Sequence, residues 1–525
     1  MDPRRLAVLE IVNELEETIN ERELLRMKLK VGEKYRLAKT IRNSEILECL
    51  PESKKTAEMV NLLKIRATRS LSGIVPIAVM CLANKCPHGR CTYCPKGDNA
   101  AQSYTGEEPV SMRAAQSNFD PYLQTKQRIE QLQAIGHKVQ KCELIILGGT
   151  FNSEPYSYQQ FFMKRCLDAM NGFDSETVEQ ALIANEKAEF RAVGITFETK
   201  PDWCKKEHIE KMLNFGVTRV EIGVQVLSDE IYKKVNRGHT LRDVVESTAQ
   251  AKDSYLKVLY HMMPGLFTDP KKDVEDFRTL FENPDFRPDM LKIYPCVVLP
   301  NTALYQMWKR GMFTPYTTEE AAEVLVEATK YIPPYVRVMR IQREIPANVI
   351  QAGVKNTNLR QIVERKLKER GIKCRCIRCR EVGLRMKQDD IVLDESRIEL
   401  KRIEYEASGG KEIFLSYEET ENDLLIGFLR LREHGENKFR QEIGDSSMGV
   451  RELHVYSEAL HLHEKPGENY QHKGYGKLLL AEAERIAREE FDKKKLLVIS
   501  GVGAREYYYK LGYNREGAYV SKELH

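Results

Sequence analysis

The chain has 525 residues, 42% hydrophobic and 30% charged, with 82 Lys and Arg against 78 Asp and Glu for a net charge of +4. That length exceeds what one core supports and predicts two large domains, while the near-neutral balance by itself selects no partner. The 12 cysteines are too few for a disulfide scaffold of this size, and the longest apolar run, GIVPIAVMCLA at 73–83, is too short to cross a bilayer; the expectation is a reducing, cytoplasmic setting with no membrane.

Residues 1–70 open on MDPRRLAVLEIVNELEETINERELL, charged and helical in period, and predict helices without a core of their own. Lys54, Lys55, Lys64, Arg66 and Arg69 cluster there, which fits a polyanion-facing patch or a solvated helix face. From 71 to 343, short apolar runs (IVPIAVM, ELIILGG, AVGITFET, RVEIGVQ, KVLYHMMPG, MLKIYPCVV, YVRVMRIQR) alternate with helical stretches. That alternation predicts an α/β domain of parallel strands with helical crossovers, a complete or partial TIM-type barrel whose working face lies at the strands' C-terminal ends. Residues 344–389 form a connector rich in Arg365, Lys366, Lys368, Arg370, Lys373, Arg375, Arg378, Arg380 and Arg385, so few of them offset by acids that nucleic acid is the expected neighbour. From 390 to 525 antiparallel-looking strands, the helix LLLAEAERIAREEF and the strand LLVIS predict a separate α+β domain.

Directly after the first barrel strand, KCPHGRCTYCPKG places Cys86, Cys91 and Cys94 with gaps of four and two residues. Thiolates so placed select zinc or an iron-sulfur cluster. Three ligands without a fourth suit a 4Fe-4S cluster with one open iron, whereas a structural zinc site is normally closed by four, for which His88 is the alternative ligand. Cys81 belongs to the strand and reads as core. At the same face Gly148 and Gly149 end the second strand, where the backbone can approach a ligand, and Glu198, Lys200, Glu221 and Gln225 close others, as substrate contacts or as structural polar residues. In the connector, Cys374, Cys376 and Cys379 of CRCIRCRE suggest zinc with Cys296 or a histidine as fourth ligand; a reduced thiol cluster is the other reading.

In the last domain YQHKGYGKLLL brings Gln471, Gly474, Tyr475, Gly476 and Lys477 to the start of a long amphipathic helix, where backbone amides converge on an anion. The strand RELHVY precedes it and LLVISGVGAREYYYKLGY follows. This order resembles the GNAT acetyltransferases, which implies acetyl-coenzyme A between two splayed strands, contacts from Gln471, Gly474, Tyr475, Gly476 and Lys477, backbone alignment of the acetyl and pantetheine portions by Glu452, Leu453, His454 and Val455, and Tyr508 as the hydroxyl that serves the departing thiolate. A phenol is suited to that, being protonated at neutral pH; Tyr507 and Tyr509 read as packing or orienting groups.

The cysteine loop is similar to that of radical S-adenosylmethionine enzymes, although their commonest gaps are three and two. Together with SYTGEEPVSMRA, LGGTF, ETKPDWC, EIGVQ, NRGHT and CRCIRCRE, it resembles the family of Elongator catalytic subunits, of archaeal or bacterial type, across nearly the whole chain. The resemblance implies a 4Fe-4S cluster on Cys86, Cys91 and Cys94, S-adenosylmethionine on its open iron with the methionine moiety near Gly148 and Gly149, Lys141 as a contact of acetyl-coenzyme A from the barrel side, and tRNA bound by its anticodon loop, with residues 1–70 as a tRNA-binding region. It implies carboxymethyl formation at C5 of the wobble uridine: a 5'-deoxyadenosyl radical takes hydrogen from the acetyl methyl group, the carbon radical adds to C5, and the thioester is hydrolysed. An electron donor is required; a homodimer, accessory subunits and zinc stay open. A protein lysine acetyltransferase with a regulatory iron-sulfur domain is the rival, with Glu452 as its amine-deprotonating base. An RNA-binding scaffold with degenerate sites is a second, against which the intact cysteines and Tyr508 argue.

Overall fold

The computed structural model describes residues 2–16, 18–64, 72–81, 85–98, 100–389, 391–456 and 474–525. Seven strands, β1 (Val75–Met80), β2 (Lys141–Leu147), β3 (Arg191–Thr199), β4 (Arg219–Gln225), β5 (Lys257–Met262), β6 (Met290–Ile293) and β7 (Arg337–Ile341), pair in parallel in sequential order. β3, β4 and β6 are buried along nearly their whole length, as in a parallel sheet covered by helices, whereas β2 alternates buried with half-buried residues and β7 keeps only Val338 buried. The crossover helices start where the sequence supplies caps: Thr240 accepts from the amide of Asp243 ahead of helix Leu241–Asp253, and Thr317 does the same for Glu320 ahead of helix Thr318–Thr329. The sheet curves into a half-barrel with β1 and β7 as its edges.

A second sheet holds β8 (Ile398–Ala407), β9 (Gly410–Glu419), β10 (Leu424–Glu433), β11 (Ser447–Val455), β12 (Lys495–Val498), β13 (Asn514–Glu516) and β14 (Tyr519–Glu523) in the order β13-β14-β12-β11-β10-β9-β8. Its two faces differ, because side chains alternate along a strand. Ile413, Leu415, Leu429 and Leu431 pack against Leu479, Leu480, Ala483 and Ile486 of the helical segment 475–490. Their neighbours Phe414 and Phe428 join the core of the barrel, and Arg430 and Arg432 also face it.

The second sheet therefore sits under the barrel, against the N-terminal ends of its strands. A buried charge network makes the joint. Arg451 donates to Asp289 at 2.5 Å and to Glu412 at 2.8 Å, and Arg432 to Asp253 at 2.5 Å and to Glu412 at 2.9 Å. Arg430 donates to the carbonyl of Tyr335 at 2.7 Å. Burial alone would raise the Asp289 carboxyl, but Arg451, Lys252 and Arg430 outweigh it and hold it well below the carboxylate range. Removing one member of such a network leaves its partners charged in a dry interior, a loss of about 3–5 kcal/mol.

Two expectations are corrected. The N-terminal helices Pro3–Glu14, Glu21–Lys34, Asn43–Cys49 and Ala57–Leu63 do build a core, from Ala7, Val8, Ile11, Val12, Leu24, Val31, Ile46, Leu47 and Leu63; the charged residues between these apolar positions masked their common face. In the same region Lys54 is spent on the carbonyls of Val12, Asn13 and Leu15 at the end of the first helix, and Lys55 on Glu52, while Arg66 and Arg69 lie outside the described residues. The connector's charges are also largely matched. Lys366 pairs with Glu323 at 2.9 Å and Arg370 with Glu323 at 2.6 Å, on helix Thr318–Thr329. Lys373 and Arg375 pair with Asp423, and Arg380 is buried against Glu418 at 2.8 Å. The balancing acids are remote in sequence, so the stretch reads as more basic than its surface is.

Candidate active site

A cavity of about 850 Å³ runs through the half-barrel from the cysteine loop to the second domain. At its upper end Cys86, Cys91 and Cys94 follow β1, with Cys91 and Cys94 buried. The loop is braced by hydrogen bonds from the amide of Gly89 to Cys86 and of Cys94 to Cys91, and by Gln102, which accepts from the amide of Cys86. Two buried cations converge on it. Arg237 reaches Cys91 Sγ at 3.8 Å while donating to the carbonyl of Gly223, and Lys200 lies 2.9 Å from His88 Nδ1. An ammonium only donates, so His88 Nδ1 accepts and Nε2 carries the hydrogen towards Cys91 Sγ, 3.3 Å away. Burial, then Lys200 and Arg237, push the His88 imidazole down to about 4.

The donor set fits a 4Fe-4S cluster. Among the described residues, Cys374, Cys376 and Cys379 bring their sulfur atoms within 4.8 Å of one another, the crowding one zinc ion requires, and Cys86, Cys91 and Cys94 form no such group. Thiolates spread more widely and flanked by Arg237 and Lys200 suit the larger anionic cluster. Gly148 and Gly149 stand beside the loop with φ of 148° and 75°; a Cβ on Gly148 would lie 2.0 Å from Cys81 Sγ. Cys81 is buried in the core, as expected.

Below the loop the lumen is polar. Glu198 accepts from Tyr104 at 2.8 Å, and Glu221 binds His261 at 3.0 Å and pairs with Lys292. Glu221 lies mid-strand in the lumen, and Gln225 at the end of β4 lines the same cavity. Nearer the second domain, Arg219 pairs with Glu143 at 2.6 Å and Lys257 projects from the start of β5. Burial lowers the Lys257 ammonium, with Glu452 opposing. Sequence reasoning assigned nothing to Arg237, Lys257, His261 or Lys292. The available signal was a charged residue within or beside an apolar barrel strand, as in KVLYHM and MLKI.

The lower end is made mostly of backbone. β11 and β12 run parallel only as far as Val450 opposite Val498, and between Arg430 and Leu431 the pairing of β10 with β11 shifts so that Arg451 is the extra residue of a bulge. From Glu452 to Val455 the strand keeps β10 on one side and parts from β12 on the other, leaving a cleft for an extended ligand. Glu452, Leu453, His454, Tyr456, Ile499, Ser500, Gly501 and Tyr508 line it. Helix Tyr475–Arg485 begins at Gly474, whose φ of 88° is a left-handed conformation that favours glycine. Gly476 is covered by the Tyr507 hydroxyl, 2.8 Å from where a Cβ would stand. Tyr475 and Lys477 open the same helix, and Gln471 lies outside the described residues. Tyr508 is buried edge-on between Tyr507 and Tyr513, and burial raises its hydroxyl above the ordinary phenol value. Lys141 starts β2 at the end facing the second domain, opposite Arg191, which donates to Glu506 at 2.5 Å. Its ammonium is lowered by burial.

Glu452 is held by Arg430 at 2.9 Å; burial would raise its carboxyl, but Lys257 and Arg430 outweigh burial and lower it. The sulfur group of Cys374, Cys376 and Cys379 has no fourth cysteine or histidine within the same reach among the described residues. Cys296 is packed elsewhere, with Val226, Tyr232 and Leu266, which corrects the expectation that it completes the set.

Among the described residues, no helix is long and apolar enough to cross a membrane. Family models match four segments: the ELP3 N-terminal domain at 4–71, the radical SAM superfamily at 80–281, the radical SAM C-terminal domain at 288–369 and the GNAT acetyltransferase family at 387–513. The tRNA uridine(34) acetyltransferase of Methanocaldococcus jannaschii is 53% identical over 489 residues, covering 92% of this chain and 90% of the relative. Elongator complex protein 3 of Homo sapiens is 42% identical over 541 residues, covering 100% of this chain and 98% of its own. The structure of Methanocaldococcus infernus Elp3 lacking residues 1–46 superposes with a TM-score of 0.77 at 48% identity, covering 86% of this chain and 100% of that one. With the radical SAM half-barrel standing on the GNAT sheet and relatives matched along their length, the chain belongs to the Elongator complex protein 3 family.

Proposed function

We propose that the protein is a tRNA acetyltransferase that builds a carboxymethyl group on C5 of the wobble uridine, using acetyl-coenzyme A and S-adenosylmethionine. The observation that carries this reading is the single cavity with the cysteine loop at one end and the GNAT cleft at the other. Acetyl transfer to an amine needs no radical centre; attachment to an unactivated carbon does. Cys86, Cys91 and Cys94 would hold a 4Fe-4S cluster, whose chemistry there would be one-electron reductive cleavage of S-adenosylmethionine.

The chain's own residues do the rest. Arg237 and Lys200 offset negative charge at the loop. Glu198, Glu221 and His261 offer acceptors for hydroxyl and amine groups, and at Gly149, in the cavity wall near Cys86, the backbone lies open to the methionine moiety. Below, the edge of Glu452 to Val455 that parts from β12 aligns the acetyl and pantetheine portions, Gly474, Tyr475, Gly476 and Lys477 bind the pyrophosphate at the helix N-terminus together with Gln471, Lys141 contacts the cofactor from the barrel, and Tyr508 donates a proton or hydrogen bond to the sulfur. The cavity is lined by Arg113 and Arg128 beside the β1 edge and by Arg340 and Arg343 on and after β7, which favours an RNA strand at the open side of the half-barrel and an unstacked base entering the lumen. Cys374, Cys376 and Cys379 are the candidate zinc ligands.

The lysine acetyltransferase reading is disfavoured because Glu452, its needed base, is engaged by Arg430 and lowered in pKa. The test is to incubate anaerobically reconstituted protein with tRNA, acetyl-coenzyme A and S-adenosylmethionine and to analyse nucleosides by mass spectrometry. 5-Carboxymethyluridine is expected; acetyl-lysine on a peptide with no modified uridine would overturn the proposal.

A further inference from the structure

Hydrolysis of the thioester requires a base for the attacking water as well as an acid for the sulfur, and Tyr508 serves only the second need. We propose that His454 is that base, acting through Nδ1. The inference rests on the carboxymethyl-forming reaction proposed above.

His454 Nε2 lies 3.1 Å from the carbonyl oxygen of Ser72. A carbonyl only accepts, so Nε2 carries the hydrogen and, in the neutral ring, Nδ1 holds the lone pair. The ring packs in a three-ring cluster with Phe428, nearly parallel at 6.1 Å, and Tyr456 at 4.4 Å, which themselves lie 6.1 Å apart. Nδ1 has no hydrogen-bond partner among the described residues. Burial is the main influence on this imidazole and lowers its pKa, with Arg337 acting alongside and Glu452 and Glu381 against, so the neutral ring prevails near pH 7.

The competing groups at this end of the cavity are already engaged. Glu452 accepts from Arg430 at 2.9 Å, Glu381 from Arg337 at 2.8 Å, and Glu143 pairs with Arg219 at 2.6 Å. Lys257 is lowered by burial but faces the Glu452 carboxylate, which favours its ammonium, and Tyr508 is a phenol raised by burial. His454 shares the lining with Tyr508, on the strand segment that parts from β12 and faces the thioester in the proposed binding mode. In the step, the water oxygen bonds to the carbonyl carbon and gives a proton to Nδ1, the carbon–sulfur bond breaks, and the sulfur takes a proton from Tyr508. The proton on His454 returns to the tyrosinate through solvent, so no oxidant or reductant is consumed.

The test uses His454→Gln in the reconstituted full chain. The amide nitrogen of glutamine preserves a donor for the Ser72 carbonyl and offers no base. Thiol release from acetyl-coenzyme A in the presence of tRNA should fall by about 10²- to 10⁴-fold, with acetyl-coenzyme A affinity and S-adenosylmethionine cleavage unchanged. Added imidazole should restore part of the thiol release to His454→Ala. Wild-type thiol release by His454→Gln overturns the assignment, and so does parallel loss of release and affinity, which would make the ring a structural support. Should the wild-type protein itself yield neither thiol nor modified uridine, the reading of the reaction falls, and this inference with it. An active wild type beside an equally active glutamine variant removes the base alone.

Discussion

The two ends of the cavity are built by different means. At the upper end side chains do the work: three thiols from one short loop, with Arg237 and Lys200 brought to them from beyond β4 and β3. At the lower end the backbone does it: a bulge at Arg451 and the parting of β11 from β12 open a cleft whose floor is peptide groups, with Tyr508 and His454 as side-chain additions. A site made of side chains is lost by deleting a few atoms, whereas one made of backbone geometry tolerates most single substitutions and depends on the packing that holds the strands apart.

The sharpest break in that comparison is replacement of Cys86, Cys91 and Cys94 together by alanine. Iron content, the brown absorbance and cleavage of S-adenosylmethionine should vanish, while acetyl-coenzyme A affinity stays normal; full iron retention would sink the cluster assignment. Next in size, Tyr508→Phe removes one hydroxyl from the lower end and should slow thiol release and uridine modification by about 10²- to 10⁴-fold if the group is a general acid, with iron content unaltered. A rate equal to wild type would withdraw that role.

Arg451→Met tests the packing instead of the chemistry. It leaves Asp289 only the more distant cations Lys252 and Arg430, at 3.7 and 3.8 Å, and Glu412 only Arg432 at 2.9 Å as a close partner, so stability should drop by up to about 3–5 kcal/mol, read as a lower denaturation midpoint, with uridine modification lost before either half-reaction is. A midpoint equal to wild type would mean the network does not hold the joint. Tyr507→Phe should be milder than Tyr508→Phe, since its hydroxyl covers Gly476 and not the sulfur; equal losses from the two would erase the distinction drawn between the rings. The smallest effect is expected from Lys366→Gln with Arg370→Gln. Both side chains are matched by Glu323, so tRNA affinity and its salt dependence should barely move; a flatter salt slope would return the connector to the RNA surface.

Much of this molecule is written locally. Alternating apolar runs and helical stretches specify a parallel half-barrel, because strand and helix periodicities are properties of neighbouring residues. The spacing of Cys86, Cys91 and Cys94, the glycines at 474 and 476 and the tyrosine at 508 likewise mark their chemistry within a few positions. What tertiary structure decided is which distant charges meet. The connector reads as basic until Glu323, Glu418 and Asp423 come to it, and Arg430, Arg432 and Arg451 look like strand-surface residues until Asp253 and Asp289 of the barrel bury them. His454 reads as one of four backbone contacts until the Ser72 carbonyl, 382 positions away, selects its tautomer. Pairing energies depend on separation in space and on exclusion of water, and neither is a function of separation along the chain.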